Sequence, residues 1–538
     1  MRKIVFLILL CIVFHFCVNA QLVSVPWDDV NQKKWGAEFS LVHIKSSGDS
    51  SVQNAWFYKS KKNILQPLII SLHTWSGDYN QEDPLAKEIL LRDWNYIHPD
   101  FRGANNNPKA CGSSLVITDL EDAINFSIKN ANVDTSNVHI IGVSGGGYAA
   151  MLAYMKINYP VKSFNAWVGI SNLTEWYWES KGRNAKYATD VEQVAMNNGE
   201  MNWRELDLRS PIKLPFSGNK RKNTSLHIYA GVHDGYTGSV PVSHSINMYN
   251  KIASALYPGQ NQLQVADKIL ISLLAKQLNP AADTLLKLGG RVIQLDKKTS
   301  GVSLTIFEGG HEMLVPQALA LLSADKNKNF EALNILTLGD SNGTFDFGWP
   351  QQMKKLLPYA TIINKSVSGN TIGFDNLGKT SLNTLASINE YLDDAFRSLG
   401  TKGKLDYVFI NLGTNDTKII FKDRQKEVAN NLTALLQKIK NYLKAHGNRD
   451  SRICFITPSP MDEQKIDRVK YGGGNLRIQE NNLQFKKIIA TAGIDFLNSY
   501  DTLKKNFANK TTDGIHLNEQ AQFELATIIL SYINLKTK

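Results

Sequence analysis

The sequence predicts an α/β protein built from two successive halves, each organised around a mostly parallel sheet. Three observations predict it. Short, almost wholly apolar runs recur along the chain, as expected of strands buried on both faces. Stretches with helical spacing separate them, and that alternation is the pattern of βαβ units. A polar stretch from Ser323 to Asn334 then divides the chain.

The first half is predicted over residues 21–325. Pro67 to His73 is a continuous apolar run, and Leu120 to Ile128 has helical periodicity. Val138 to Val143 is a second strand. It runs straight into Ser144, Gly145, Gly146 and Gly147, and then into a helix-forming stretch from Tyr148 to Lys156. Leu226 to Ala230 and Ser303 to Phe307 are further strands. Residues 172–219 read as a cap insertion carrying Trp176, Tyr177, Trp178, Tyr187 and Trp203. Such aromatics either form a small core or stack on a sugar ring or aryl group. The second half is predicted over residues 333–538. Ile335 to Leu338, Leu405 to Leu412 and Ile453 to Thr457 read as strands, Val428 to Leu443 as an amphipathic helix, and Gln520 to Leu535 as a closing helix. No internal repeat is evident.

The chain has 538 residues, 43% hydrophobic and 20% charged, which suits two globular cores and excludes a disordered or collagen-like chain. The formal net charge is +11. Its densest run, Lys220 to Lys222, has no basic stripe or binding module around it, so nucleic acid is not an expected partner. At the N-terminus, Arg2 and Lys3 precede an apolar run from Ile4 to Val18, and Val18-Asn19-Ala20 precedes Gln21. This pattern predicts a secretory signal peptide over residues 1–20 and a secreted or periplasmic protein. The run is shorter than the roughly 20 residues a bilayer span needs, and no transmembrane segment is expected after cleavage. Beyond it remain Cys111 and Cys454, read as two unpaired thiols.

Gly142-Val143-Ser144-Gly145-Gly146 matches G-x-S-x-G between a strand and a helix. A nucleophile on a tight turn needs glycines two residues either side, where side chains would clash. Asp234 and His311 follow, each just beyond a predicted strand, in the order nucleophile, acid, base. Ser144 would attack an acyl carbonyl, His311 would carry its proton, and Asp234 would orient the imidazole. The oxyanion would be met by the N–H of Gly145 and a second amide from the loop His73 to Gly77, assigned to Trp75. This half resembles α/β-hydrolases of the prolyl-oligopeptidase-like and acetyl or feruloyl esterase branch over residues 50 to 320. It departs from them at His73-Thr74-Trp75, where many relatives carry His-Gly-Gly, and no propeller precedes it.

Four further blocks mark the second half: Gly339-Asp340-Ser341, Ser368-Gly369-Asn370, Gly413-Thr414-Asn415-Asp416 and Asp513-Gly514-Ile515-His516. In this order they resemble the SGNH (GDSL-like) hydrolases, which implies a flavodoxin-like domain. The resemblance implies Ser341 as nucleophile and His516 as base with Asp513 as its orienter. It assigns the oxyanion donors to Ser341 N–H, Gly369 N–H and the Asn415 amide. Asp340 and Asp416 read as structural, and Asn342 replaces a frequent aliphatic residue.

Neither half shows metal-ligand spacing or a cofactor fingerprint, so no metal and no cofactor is expected. The two resemblances together imply a secreted serine carboxylesterase with two independent sites, removing acyl groups, acetyl above all, from plant polysaccharide such as acetylated xylan. Three other readings stay open: a feruloyl esterase joined to an SGNH acetylesterase, a lipase or peptidase, and one half as an inactive binding module.

Overall fold

The computed structural model describes residues 35–322, 332–400 and 403–536. The predicted signal peptide, and residues 323–331 of the predicted linker, lie outside the described residues.

The first sheet has ten strands: β1 (Ser40–Lys45), β2 (Val52–Tyr58), β3 (Gln66–Leu72), β4 (Asn95–Pro99), β5 (Val133–Val143), β6 (Ser163–Trp167), β7 (Ser225–Gly231), β8 (Lys287–Leu288), β9 (Arg291–Thr299) and β10 (Val302–Phe307). Their spatial order is β1-β2-β4-β3-β5-β6-β7-β10-β9-β8. From β4 to β10 every neighbouring pair is parallel, and the antiparallel strands lie at the two edges. The central strands are apolar because helices cover both faces: all six residues of β10 and the last six of β5 are buried. The helix Gly145–Lys156 is apolar nearly all round and buried along its length, which seats the turn before it against the sheet.

The second sheet has five parallel strands: β11 (Asn334–Gly339), β12 (Thr361–Asn364), β13 (Tyr407–Asn411), β14 (Arg452–Ile456) and β15 (Asp495–Leu497). Their order is β12-β11-β13-β14-β15, the doubly wound flavodoxin-like order. One face packs on the helix Gln425–Ala445, whose Val428, Leu432, Leu435, Leu436, Ile439 and Leu443 form one buried stripe. The other packs on the helix Glu519–Lys536. Both halves are thus α/β with mostly parallel sheets, as the sequence predicts.

The halves also touch. The buried Glu88 carboxylate lies between Arg92 of its own helix and Lys355 of the second half, 2.8 Å from each. Gln520 Nε2 donates to Leu91 O, and Gly289 N–H to Pro358 O. Tyr359, 5% exposed, belongs to the first half's hydrophobic core. No described helix is long and apolar enough to cross a membrane.

Candidate active sites

In the first half, parallel pairing brings the C-terminal ends of β3, β5, β7 and β10 to one edge of the sheet, and every predicted site residue of this half stands there. Ser144 follows β5 with φ 58° and ψ −117°, a backbone region costly for a residue with a side chain. The glycines explain how the turn closes. A Cβ on Gly142 would stand 2.3 Å from Gly146 C, and one on Gly146 would stand 2.3 Å from Leu72 O. A Cβ on Gly145 would stand 2.3 Å from Trp75 N. The two predicted oxyanion amides, of Gly145 and Trp75, are therefore brought together, and the Trp75 N–H has no hydrogen-bond acceptor among the described residues.

Asp234 Oδ2 accepts from His311 Nδ1 at 2.8 Å, and its other oxygen accepts from the Gly235 and Val240 amides at 2.9 and 3.1 Å. Both side chains are buried. The loops that carry them are laced together: His233 N–H donates to Gly309 O, and a Cβ on Gly231 would stand 2.2 Å from Gly310 O. Arg291 makes a two-pronged pair with Glu312, which also accepts from the Gly310 amide. Ser239 Oγ stands 3.5 Å from His311 Nε2, the nitrogen predicted to take the Ser144 proton.

The cap aromatics divide into two groups. Trp176 and Tyr177 are core residues, 1% and 4% exposed. Trp176 donates its indole N–H to Ser239 O, and Trp75 donates its own to Asp190 Oδ2. The rings of Trp75 and Trp176 meet edge to face at 4.6 Å. The cap core therefore holds two loops of the site, those of Trp75 and Ser239. Trp178 and Trp203 are exposed, with nearly parallel rings 5.7 Å apart. His73 is buried and fixes the same loop, its ring nitrogens 2.9 Å from Thr74 O and 2.6 Å from Asp100 O.

In the second half the site lies at the switch point of the doubly wound sheet, between the ends of β11 and β13, where ligands of such folds bind. Ser341 follows β11. His516 Nε2 lies 2.9 Å from Ser341 Oγ, and His516 Nδ1 lies 2.6 Å from Asp513 Oδ2. The other Asp513 oxygen accepts from the His516 and Ile515 amides. Burial pushes the Asp513 carboxyl up, but those amides and the imidazole outweigh it and hold it below the usual carboxylate range. Asn342, which stands where an aliphatic residue is frequent, ties the nucleophile turn to the base loop: its Oδ1 accepts from Leu517 N–H and Gln522 Nε2. An amide where an aliphatic residue is frequent was the signal.

Gly369, after β12, has φ 89°, and neither its N–H nor that of Ser341 donates to a group among the described residues. Asn415, after β13, donates Nδ2 to Asn370 O at 3.0 Å. The three predicted oxyanion donors stand on turns after three adjacent strands. Asp340 accepts from Asn342 N–H, and Asp416 accepts from Ile372 N–H with both oxygens at 3.0 Å, so both carboxyls bind backbone. Burial raises both, Asp416 to about 7. Sequence reasoning missed Ser239, the Arg291–Glu312 pair and Tyr471, whose phenol donates to Asn415 Oδ1 at 2.9 Å; none of them has a motif.

Cys111 and Cys454 are both free and buried, and burial pushes the Cys111 thiol up to about 12, which leaves no thiolate to attack. Among the described residues no three His, Cys, Asp or Glu side chains gather to hold a metal ion.

Residues 336–522 match the GDSL-like Lipase/Acylhydrolase family. No curated protein matches the chain. Among solved structures it is similar to a carbohydrate acetylesterase from Sinorhizobium meliloti, at 21% identity over 37% of this chain and 98% of that one, with a TM-score of 0.31. It is similar to the M. smegmatis aryl esterase at 20% identity, covering 38% of this chain and 98% of that one, with a TM-score of 0.33. It is also similar to the Pyrococcus horikoshii acylaminoacyl peptidase at 18% identity, with a TM-score of 0.32; 40% of this chain is covered but only 35% of the peptidase. The chain therefore carries a GDSL-like lipase/acylhydrolase domain at residues 336–522, a match that supports ester hydrolysis.

Proposed function

We propose that the protein is an exported serine carboxylesterase with two independent active sites, acting on acylated plant polysaccharide and removing acetyl groups. The observation that carries this reading is the continuous proton path of the second site. Ser341 Oγ, His516 and Asp513 are joined at 2.9 and 2.6 Å, beside amides with no other acceptor among the described residues. His516 takes the proton as Ser341 Oγ attacks the acyl carbon and returns it to the leaving alcohol. The Ser341 and Gly369 amides and the Asn415 side chain meet the charge on the tetrahedral intermediate. Water, deprotonated by the same imidazole, then releases the acid. Ser144, His311, Asp234, Gly145 and Trp75 take the corresponding roles in the first half. Two ester-cleaving sites on one chain suit one polymer carrying several esters.

A second reading gives the first half aromatic acyl esters such as ferulate. The exposed pair Trp178 and Trp203 on the cap favours it.

The test is to incubate Ser144→Ala and Ser341→Ala variants with acetylated xylan, pectin and feruloylated arabinoxylan, and to identify the acids released. Each variant should lose one activity by several orders of magnitude and keep the other. If either folded variant loses every activity, two independent sites cannot be right.

A further inference from the structure

The Asn415 side chain is a planar amide whose two ends look alike in shape but differ in chemistry. One end lies 3.0 Å from Asn370 O. A carbonyl only accepts, so the atom facing it must be Nδ2. The end facing Tyr471 is then Oδ1, 2.9 Å from the phenol oxygen, and the phenol must donate. Burial raises the Tyr471 phenol far above its ordinary range, so it keeps its proton. With Oδ1 held by Tyr471 and one N–H held by Asn370, the second N–H is the only side-chain group of Asn415 left for an oxyanion.

Tyr471 is itself anchored. It ends the short helix Arg468–Tyr471, capped by Asp467. Arg477 Nε donates to Thr417 O, and its Nη2 donates to Gly472 O, each at 2.8 Å. One guanidinium thus straps the Tyr471 segment onto the turn that carries Asn415. Lys418 Nζ stands 5.6 Å above the Tyr471 ring and donates to Asn376 Oδ1, while Asn376 Nδ2 donates to Gly369 O. The same cluster therefore borders both oxyanion donors that do not come from the nucleophile turn.

We propose that Tyr471 is a positioning residue for ester hydrolysis at the Ser341 site, its hydroxyl holding the Asn415 amide with the second N–H directed at the developing oxyanion. The proposal rests on the esterase reading of that site. An amide held this way acts on the transition state more than on bound substrate, so its loss should fall on kcat.

The experiment uses the full chain with Ser144→Ala, which silences the first site, and p-nitrophenyl acetate. Asn415→Ala should lower kcat by about 10²- to 10³-fold, the usual loss of one oxyanion donor. Tyr471→Phe removes one oxygen and should lower kcat about 10- to 30-fold with KM within about two-fold, since the amide is freed but not deleted. The double variant should be no worse than Asn415→Ala alone, because Tyr471 acts only through that amide. Thermal melts check folding, and the ring of Phe preserves the packing. Losses that multiply in the double variant, or a Tyr471→Phe effect on KM alone, overturn the proposal. Should Ser341→Ala in the same background retain the activity, the esterase reading of this site falls, and the proposal with it.

Discussion

Replacing each site's acid by its amide, Asp234→Asn and Asp513→Asn, should separate the two sites by roughly a hundred-fold. In both, one carboxylate oxygen accepts two backbone N–H groups and the other meets His Nδ1. An asparagine keeps its oxygen on the amides and turns its NH2 to the imidazole, which enforces the wrong tautomer. What differs is solvent. The Asp234 side chain is 0% exposed and His311 7%, whereas Asp513 is 51% and His516 32% exposed. Turning the new side chain over to restore the tautomer would strand the buried Val240 amide at position 234; at position 513 it leaves the exposed His516 amide to water. The charge lost also counts for more in the buried pair. Two unit charges about 4 Å apart interact by about 4 kcal/mol at an effective dielectric of about 20, and by about 1 kcal/mol in water. The difference of about 3 kcal/mol is a little over two powers of ten in rate. Asp234→Asn should therefore approach the roughly ten-thousand-fold loss of a triad acid replaced by its amide, and Asp513→Asn should cost about ten- to a hundred-fold. The assay is kcat/KM on the full chain, with the other nucleophile replaced by alanine and each site given its own ester. The full chain is needed because Tyr359 packs into the first half's core. An equal or larger loss at Asp513 would refute the reasoning from exposure.

Gly145→Ala would set a Cβ 2.3 Å from Trp75 N and 2.4 Å from Trp75 Cα, so the oxyanion loop must move. We expect a loss in kcat of at least about 10²-fold at the first site and none at the second, read with Ser341→Ala and Ser144→Ala as references. Asp416, raised to about 7 by burial, holds its proton in the folded chain over a range where the unfolded carboxyl has lost it. Folded protein then binds more protons than unfolded protein, so this group's contribution to stability falls as pH rises from about 4 towards 7. Asp416→Asn should therefore flatten the fall in melting temperature between about pH 4 and 7, and an unchanged pH slope would contradict that assignment.

What the sequence revealed depended on how local the signal was. The elbow, the Asp513–His516 loop and the apolar central strands are written in adjacent residues: Ser144 directly follows β5, and Asp513 and His516 share one turn. Strand β4 went unread because Asn95, His98 and Pro99 make it look polar, yet all five of its residues are buried. Asn95 there donates to Gln66 O and Asn132 O, a pairing invisible before the fold is known. Strand β6 hid for the same reason behind Ser163 and Asn165, which bond each other. The two roles of the cap aromatics could not be separated by composition: Trp176 and Trp178 lie two residues apart on one helix, one inward and one outward. Tyr471 stands 56 residues from the amide it holds and belongs to no motif.

The contact between the halves also bears on how the protein is made. Synthesis delivers the first half to the folding environment before the second exists. At that stage Glu88 has Arg92 but lacks Lys355, and the place that Tyr359 fills beside Lys298 and Gly289 is open to water. The nascent first half can form its sheet, yet its final packing waits for Lys355 and Tyr359 to be translated. Completion of the first half's core is thus the work of residues belonging to the second.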